Sequence, residues 1–198
     1  MEHEVLTKEK QKILLKLARD TIALWLKEHK RPPLPEAKGL FGEHCGAFVT
    51  LHKKGQLRGC IGNMIGQGPL VETIQEMAIA SATQDPRFHS VTLEELAQID
   101  IEISVLSPMR QITDVNEIQV GTHGILMSRG MFHGVLLPQV ATEYGWDRTK
   151  FLEQTCLKAG LPPNAWQDPQ TKIEIFSAQV FGEKKQILIS KFEILNKF

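Results

Sequence analysis

The sequence predicts an α+β fold in which largely antiparallel sheets are covered by helices. Apolar residues recur at helical spacing in some segments and alternate with polar residues in others, so both kinds of element are expected. The predicted strands come in hairpins with helices interspersed, and do not alternate strictly with helices. This order favours antiparallel pairing over a parallel sheet.

The first half of the chain predicts two helices, a hairpin and a single strand. Residues 7–29 form an amphipathic helix that Thr7 caps and a proline-rich segment ends. Residues 45–52 and 56–61 form the arms of a hairpin around a turn at 53–55. The later elements are a helix with Pro69 as its first residue, running to Thr83, a capping box at 92–95 that opens a helical turn, and a strand at 99–106.

The second half predicts fewer elements. Two short strands are expected at residues 124–128 and 131–137, and Asp147 caps a helix that ends before Gly160. Residues 171–181 are predicted as one long strand. The tail from Lys184 carries spaced apolar residues, which favours an ordered segment.

Charge and hydropathy argue against a nucleic-acid-binding or membrane protein. The 198 residues include 23 Lys and Arg and 23 Asp and Glu, so the formal net charge is zero. This balance gives no broad attraction for nucleic acid or anionic lipid. No apolar run approaches the roughly 20 residues that span a bilayer. The acidic start of the chain does not resemble a secretory signal, so we expect a soluble cytoplasmic protein.

The cysteines indicate neither disulfides nor a metal. Cys45, Cys60 and Cys156 are an odd number and form no Cys-x-x-Cys pair, which is typical of free thiols in a reducing cytoplasm. His52 and Cys60 could meet His44 or Cys45 across the first hairpin, but no pair has the tight spacing of a structural zinc site. We therefore predict no metal and no cofactor.

The segment Leu57-Arg58-Gly59-Cys60-Ile61-Gly62 carries the most unusual residue pattern. Strand alternation points Arg58 and Cys60 the same way, and Gly59 and Gly62 let a backbone or a ligand approach closely. A guanidinium beside a thiol lowers the thiol's pKa and makes it nucleophilic. Alternatively, Cys60 is a small buried apolar residue and Arg58 packs or pairs elsewhere.

This segment resembles the signature of the AMMECR domain family, whose prokaryotic members are called AmmeMemoRadiSam system protein A. Further blocks of the resemblance follow in order along nearly the whole chain: Ser81-Ala82, Asp85-Pro86-Arg87-Phe88, 102–108, 123–125, 134–141, Glu143, Trp146, 151–153, Cys156 and 158–161. Val135 stands where leucine is expected, which is a mild departure.

The resemblance implies a single domain over residues 1–198, built as two interlocked α/β lobes with the motif segments near a cleft between them. It also implies a genetic association with a Memo-like protein and a radical SAM protein, which makes these two proteins possible partners. The family resemblance does not specify a reaction.

Further candidate residues lie in the other blocks. Glu102 is either a general acid or base, or an ion-pair partner of Arg58 or Arg87. His123 either shuttles protons or hydrogen-bonds a carbonyl group. Arg87, in a turn that begins at Asp85, either binds an anionic ligand or braces the loop. Gln139 and Trp146 could frame a ligand through an amide and a ring face. Alternatively, Trp146 packs in the core.

Two hypotheses for function follow. The first is an enzyme or enzyme component that binds a small molecule or a modified side chain, with Cys60, Glu102 and His123 catalytic. Its ligand-binding residues would be Arg58, Gly59, Gly62, Asp85, Arg87, Gln139 and Trp146. The second is a non-catalytic adaptor that docks onto the Memo-like and radical SAM proteins.

Overall fold

The structure is a computed structural model that describes residues 5–183. The predicted order of the tail from Lys184 lies outside the described residues. The chain divides into two compact units. Within the described residues, the first unit comprises residues 5–106 and 179–183, and the second comprises residues 107–178.

The first unit is built on a four-stranded sheet with the strand order β2-β1-β3-β8, in which β8 is Ala178–Gly182. Helix α1 (Lys8–Glu28) is followed by β1 (Cys45–Lys53), β2 (Gln56–Ile65), α2 (Leu70–Thr83), the short α3 (Leu93–Leu96) and β3 (Ile99–Leu106). Strand β1 pairs antiparallel with both β2 and β3. Alternate residues of these strands, such as Val49 and Ile103, form one buried core with the apolar faces of α1 and α2.

Local sequence explains how these elements begin and turn. Thr7 caps α1 by accepting a hydrogen bond from the amide of Lys10. The β1–β2 hairpin turns at Lys54 and Gly55, whose φ angles of 53° and 81° are those of a two-residue hairpin turn. Pro69 precedes α2 as its N-cap, and is not its first residue as predicted, because its ψ of 146° is extended.

The second unit holds another four-stranded sheet with the order β4-β7-β5-β6. Its elements are β4 (Arg110–Ile112), β5 (Gly124–Arg129), β6 (Phe132–Leu136), α4 (Pro138–Glu143), α5 (Arg148–Lys158) and β7 (Lys172–Phe176). The pairs β4–β7, β5–β6 and β5–β7 are antiparallel. The predicted α+β class with antiparallel sheets is therefore confirmed.

The prediction of one long strand at residues 171–181 is wrong. The segment forms β7 and then β8 (Ala178–Gly182), which belong to different sheets and are separated at Ser177. The apolar pattern runs through the break, so hydropathy gives no sign of it. Two short elements, β4 and α4, were also not predicted. Strand β2 extends four residues beyond its predicted end, to Ile65.

Candidate functional site

The site is built on the face of the first sheet that points away from the α1–α2 core. Gly59 faces α2, since a Cβ atom placed on it would come within 2.2 Å of the carbonyl oxygen of Ser81. Cys60, the next residue of β2, points to the opposite face and is not a member of the core cluster. It pairs with Thr50 of β1, which in turn pairs with Glu102 of β3. These three side chains therefore form a row across the sheet.

Arg58 lies at an irregularity of β2. Leu51 pairs with Gly59 and His52 pairs with Leu57, so Arg58 is an extra residue, as in a β-bulge. Its guanidinium makes a bidentate ion pair with Glu95, with Nε to Oε1 at 2.9 Å and Nη2 to Oε2 at 3.0 Å. The Lys53 ammonium also contacts Glu95, at 2.8 Å. Hydrogen bonds from Arg58 and then Lys53 lower the pKa of Glu95 to about 2.

Asp85 and Arg87 close the outer edge of β2 at Cys60. The amide of Cys60 donates to Oδ2 of Asp85 at 2.8 Å, and Nη2 of Arg87 donates to the carbonyl of Cys60 at 3.3 Å. Arg87 also donates two hydrogen bonds to the Asp85 carboxylate, from Nε to Oδ1 at 2.9 Å and from Nη2 to Oδ2 at 2.7 Å. Burial alone would raise the pKa of Asp85, but the hydrogen bonds from Arg87 and from the Cys60 amide lower it.

An open pocket of about 360 Å³ adjoins these two arginines, and its lining residues are Arg58, Pro86, Arg87, Phe88 and His89. The guanidinium carbons of Arg58 and Arg87 lie 5.8 and 5.6 Å from the centroid of the Phe88 ring. Both distances are those of cation–π contacts. Because each guanidinium is also held by a carboxylate, the two positive groups are fixed in place before any ligand arrives.

The structure opposes an activated thiol at Cys60. The side chain is 4% exposed, and its Sγ lies 3.2 Å from Oγ1 of Thr50. Burial raises the pKa of Cys60 and outweighs the lowering effects of the Thr50 hydrogen bond and of the Arg87 charge. Arg58 pairs with Glu95, which agrees with the alternative that Cys60 is a small buried residue and Arg58 pairs elsewhere. The nearby guanidinium belongs to Arg87.

The two motif glycines serve packing inside the first unit. The space beside Gly59 is filled by the Ser81 carbonyl, and a Cβ atom at Gly62 would come within 2.2 Å of the Phe48 ring. The predicted close approach is therefore made by the protein's own backbone and side chains. Glu102 is half-buried beside Thr50. Arg58 pairs with Glu95, so the suggested ion pair between Glu102 and Arg58 is not formed.

Three candidates belong to the second unit. Nδ1 of His123 accepts a hydrogen bond from the amide of Gln119 at 3.2 Å, so this imidazole bonds a backbone N–H and not the carbonyl that was suggested. Gln139 is half-buried in α4, where its backbone carbonyl accepts a hydrogen bond from the Thr142 hydroxyl. Trp146 is half-buried and stacks on Tyr144, with ring centroids 4.8 Å apart. Their suggested roles in catalysis and ligand binding stay predictions.

The sequence reasoning missed Glu95, Phe88 and His89 as site residues. The sequence marks Glu95 only as a capping-box residue, and Oγ1 of Thr92 does accept a hydrogen bond from the Glu95 amide at 3.2 Å. Its carboxylate, however, is used by Arg58 and Lys53. The signal for Phe88 is its place in the Asp85-Pro86-Arg87-Phe88 block, directly after the charged residues.

The described residues contain neither a metal-binding cluster nor a membrane-spanning helix. Across residues 5–183, no cluster of three or more His, Cys, Asp or Glu side chains could hold a metal ion. Cys45, Cys60 and Cys156 are all buried free thiols. Within that range no helix is both long and apolar enough to cross a bilayer.

Comparison with known proteins identifies the family. The AMMECR1 family model matches residues 15–181. A protein of Methanothermobacter thermautotrophicus is 44% identical over 190 residues, covering 92% of this chain and 99% of the relative. A Methanopyrus kandleri protein is 43% identical and covers 92% of each chain. The crystal structure of the uncharacterized protein PH0010 from Pyrococcus horikoshii is similar, with a TM-score of 0.77, 40% identity, and coverage of 90% of this chain and 94% of that one. The chain therefore belongs to the AMMECR1 family, as its motif blocks predicted.

Proposed function

We propose that this protein is the ligand-binding component of an enzyme system, and that it binds an anionic small molecule or a modified side chain at the pocket beside Arg58 and Arg87. The observation that carries the proposal is the pair of guanidiniums around Phe88 at an open pocket of about 360 Å³. That volume lies within the range of small-molecule sites. The ring supplies an apolar surface, and the two guanidiniums supply positive charge beside it.

The charge of the surrounding groups supports an anionic ligand. The ion pairs of the site join three cations, Lys53, Arg58 and Arg87, to two carboxylates, Glu95 and Asp85. Glu102, on the same face of the sheet, balances the third cation of the wider site. The five residues that line the pocket itself, however, include two arginines and no carboxylate. A pocket wall of this kind favours a ligand that carries a negative charge.

The state of Cys60 supports binding over covalent catalysis by this chain. A buried thiol with a raised pKa holds little thiolate near neutral pH, and the thiolate is the nucleophilic form. We therefore assign the chemistry to the proposed Memo-like and radical SAM partners. Proton transfer by Glu102 and His123 stays a prediction.

The test is a calorimetric titration with benzoate and, separately, with its neutral isostere benzamide. Benzoate should bind and benzamide should bind at least tenfold more weakly, because charge-assisted hydrogen bonds are about twice as strong as neutral ones. Arg58→Gln should weaken benzoate binding, whereas the matched change Arg110→Gln, which removes an exposed arginine ion-paired with Glu117, should not. Equal binding of the two compounds, or an unchanged affinity in Arg58→Gln, would overturn the proposal.

A second candidate function is the adaptor, and the tip of the β5–β6 hairpin favours it. Met131 and Phe132 are 94% and 56% exposed at this tip. Adjacent exposed apolar side chains are common at protein-binding surfaces. If the adaptor hypothesis holds, the Memo-like protein should co-purify with this chain, and Met131→Ser combined with Phe132→Ser should abolish the complex. Failure to form a complex at micromolar concentrations would count against it.

A further inference from the structure

Within the described residues, no further strand pairs with the outer edge of β2 beside the pocket. β2 is an edge strand of the first sheet. Both backbone groups of Cys60 point away from β1, since their partners are Asp85 and Arg87. In an antiparallel ladder this direction alternates, so the N–H and C=O of Gly62 also point outward. Among residues 5–183, no backbone or side-chain hydrogen bond reaches these two groups of Gly62.

This stretch of edge lacks the usual protection against a further strand. Proteins commonly protect an exposed edge with charged residues or proline. Residues 61–65 of β2 contain neither, and Ile65 is 61% exposed. An extended peptide can pair with such an edge through its main chain.

The Asp85–Arg87 pair limits how far an added strand can run. Asp85 already occupies the outward N–H of Cys60, and Arg87 occupies its C=O. A strand that pairs with Gly62 must therefore stop about two residues, or roughly 7 Å, further along. It would stop at Cys60, whose carbonyl Arg87 contacts, and Arg87 lines the pocket together with Arg58. The group that fits there is the end of a chain that carries one negative charge.

We infer that the ligand is the C-terminal segment of an extended peptide, which adds to the outer edge of β2 with its carboxylate at Arg58 and Arg87. This inference rests on the proposed binding function of the pocket. The direction of the peptide follows from the charge. Its C-terminus lies toward Cys60 and its preceding residues lie toward Ile65, so it runs antiparallel to β2. The opposite direction would place an ammonium group beside the two guanidiniums.

The experiment uses the full chain and the pentapeptide acetyl-Ala-Val-Thr-Val-Leu, prepared as the free acid and as the C-terminal amide. Calorimetry should show that the free acid binds at least tenfold more tightly than the amide. Hydrogen exchange followed by NMR should show slower exchange of the Gly62 amide when the free acid is bound. Peptides N-methylated at one amide at a time should lose affinity at every second position, because alternate amides face β2.

Two sets of outcomes separate this inference from the proposal on which it rests. If benzoate binds, but the acid and the amide bind equally or the Gly62 amide gains no protection, the peptide inference is overturned and the anion site stands. If neither benzoate nor the free acid binds, both are overturned. Arg58→Gln should weaken the binding of the free-acid peptide at least tenfold and leave the affinity for the amide peptide unchanged. Arg110→Gln should change neither affinity.

Discussion

Asp85 and Arg87 lie two residues apart and together occupy both outward backbone groups of Cys60. The Asp85 carboxylate accepts the N–H at 2.8 Å, and the Arg87 guanidinium donates to the C=O at 3.3 Å. A short loop thus gives an edge strand the two hydrogen bonds that a neighbouring strand would otherwise supply. It also places the Arg87 guanidinium beside the Phe88 ring.

Replacement of Asp85 by asparagine should lower the free energy of unfolding by about 3 kcal/mol, as expected when one partner of a buried ion pair is removed. Asp85 is 4% exposed, and its loss leaves the Arg87 charge without this partner carboxylate. Urea denaturation at neutral pH measures the change. The matched control is Glu117→Gln, which breaks an exposed pair and should cost less than about 1 kcal/mol. Equal losses in the two variants would contradict this account of the loop.

Stability should fall in acid through Glu95. The pKa of its carboxyl is about 2 in the folded protein, against an ordinary value of 4.5. A depressed folded pKa stabilises the protein above the unfolded value, and this contribution is lost as pH falls from about 4.5 toward 2. Glu95→Gln should be less stable than the wild type at pH 6, and the difference should shrink toward pH 2. Urea midpoints across this range measure it, and a difference independent of pH would refute it.

The Cys60 thiol should alkylate more slowly than a free thiol at pH 7.5, because burial raises its pKa and shields its sulfur. Iodoacetamide labelling of the folded protein, followed by peptide mass spectrometry, gives the rate at each cysteine. The same labelling in urea supplies the unfolded reference. Cys60→Ala should retain benzoate binding. Rapid labelling of Cys60 in the folded protein would restore the nucleophile hypothesis.

Gly59→Ala should destabilise the protein by about 3 kcal/mol, at the upper end of the usual cost of overpacking. The added methyl group would come within 2.2 Å of the Ser81 carbonyl, which α2 holds in place. Gly68→Ala is the matched control, since its methyl group would meet only the flexible carboxylate end of Glu72, at 2.8 Å. Thermal denaturation compares the two variants. A Gly59→Ala protein as stable as the control would show that this packing is not tight.

The sequence predicted the regular elements well where one rule decided them. Strand β3 was predicted with the bounds it has, because its apolar and polar residues alternate without interruption. The candidate site was predicted only in part, since its contacts join residues far apart in the chain. Arg58 and Glu95 are 37 residues apart, and no local pattern marks them as partners. The extra residue at Arg58 also defeats simple alternation, which would have aimed its guanidinium at Cys60.

The break at Ser177 has a consequence for synthesis on the ribosome. Strands β3 and β8 are neighbours in the first sheet, yet the whole second unit lies between them in the chain. The start and end of that insertion are joined, since the Ser107 amide donates to the Ser177 carbonyl and the Ser177 amide donates to Oγ of Ser107, both at 2.9 Å. During synthesis the first sheet therefore lacks β8 until residue 182 leaves the exit tunnel. The inserted unit can complete its own sheet before then.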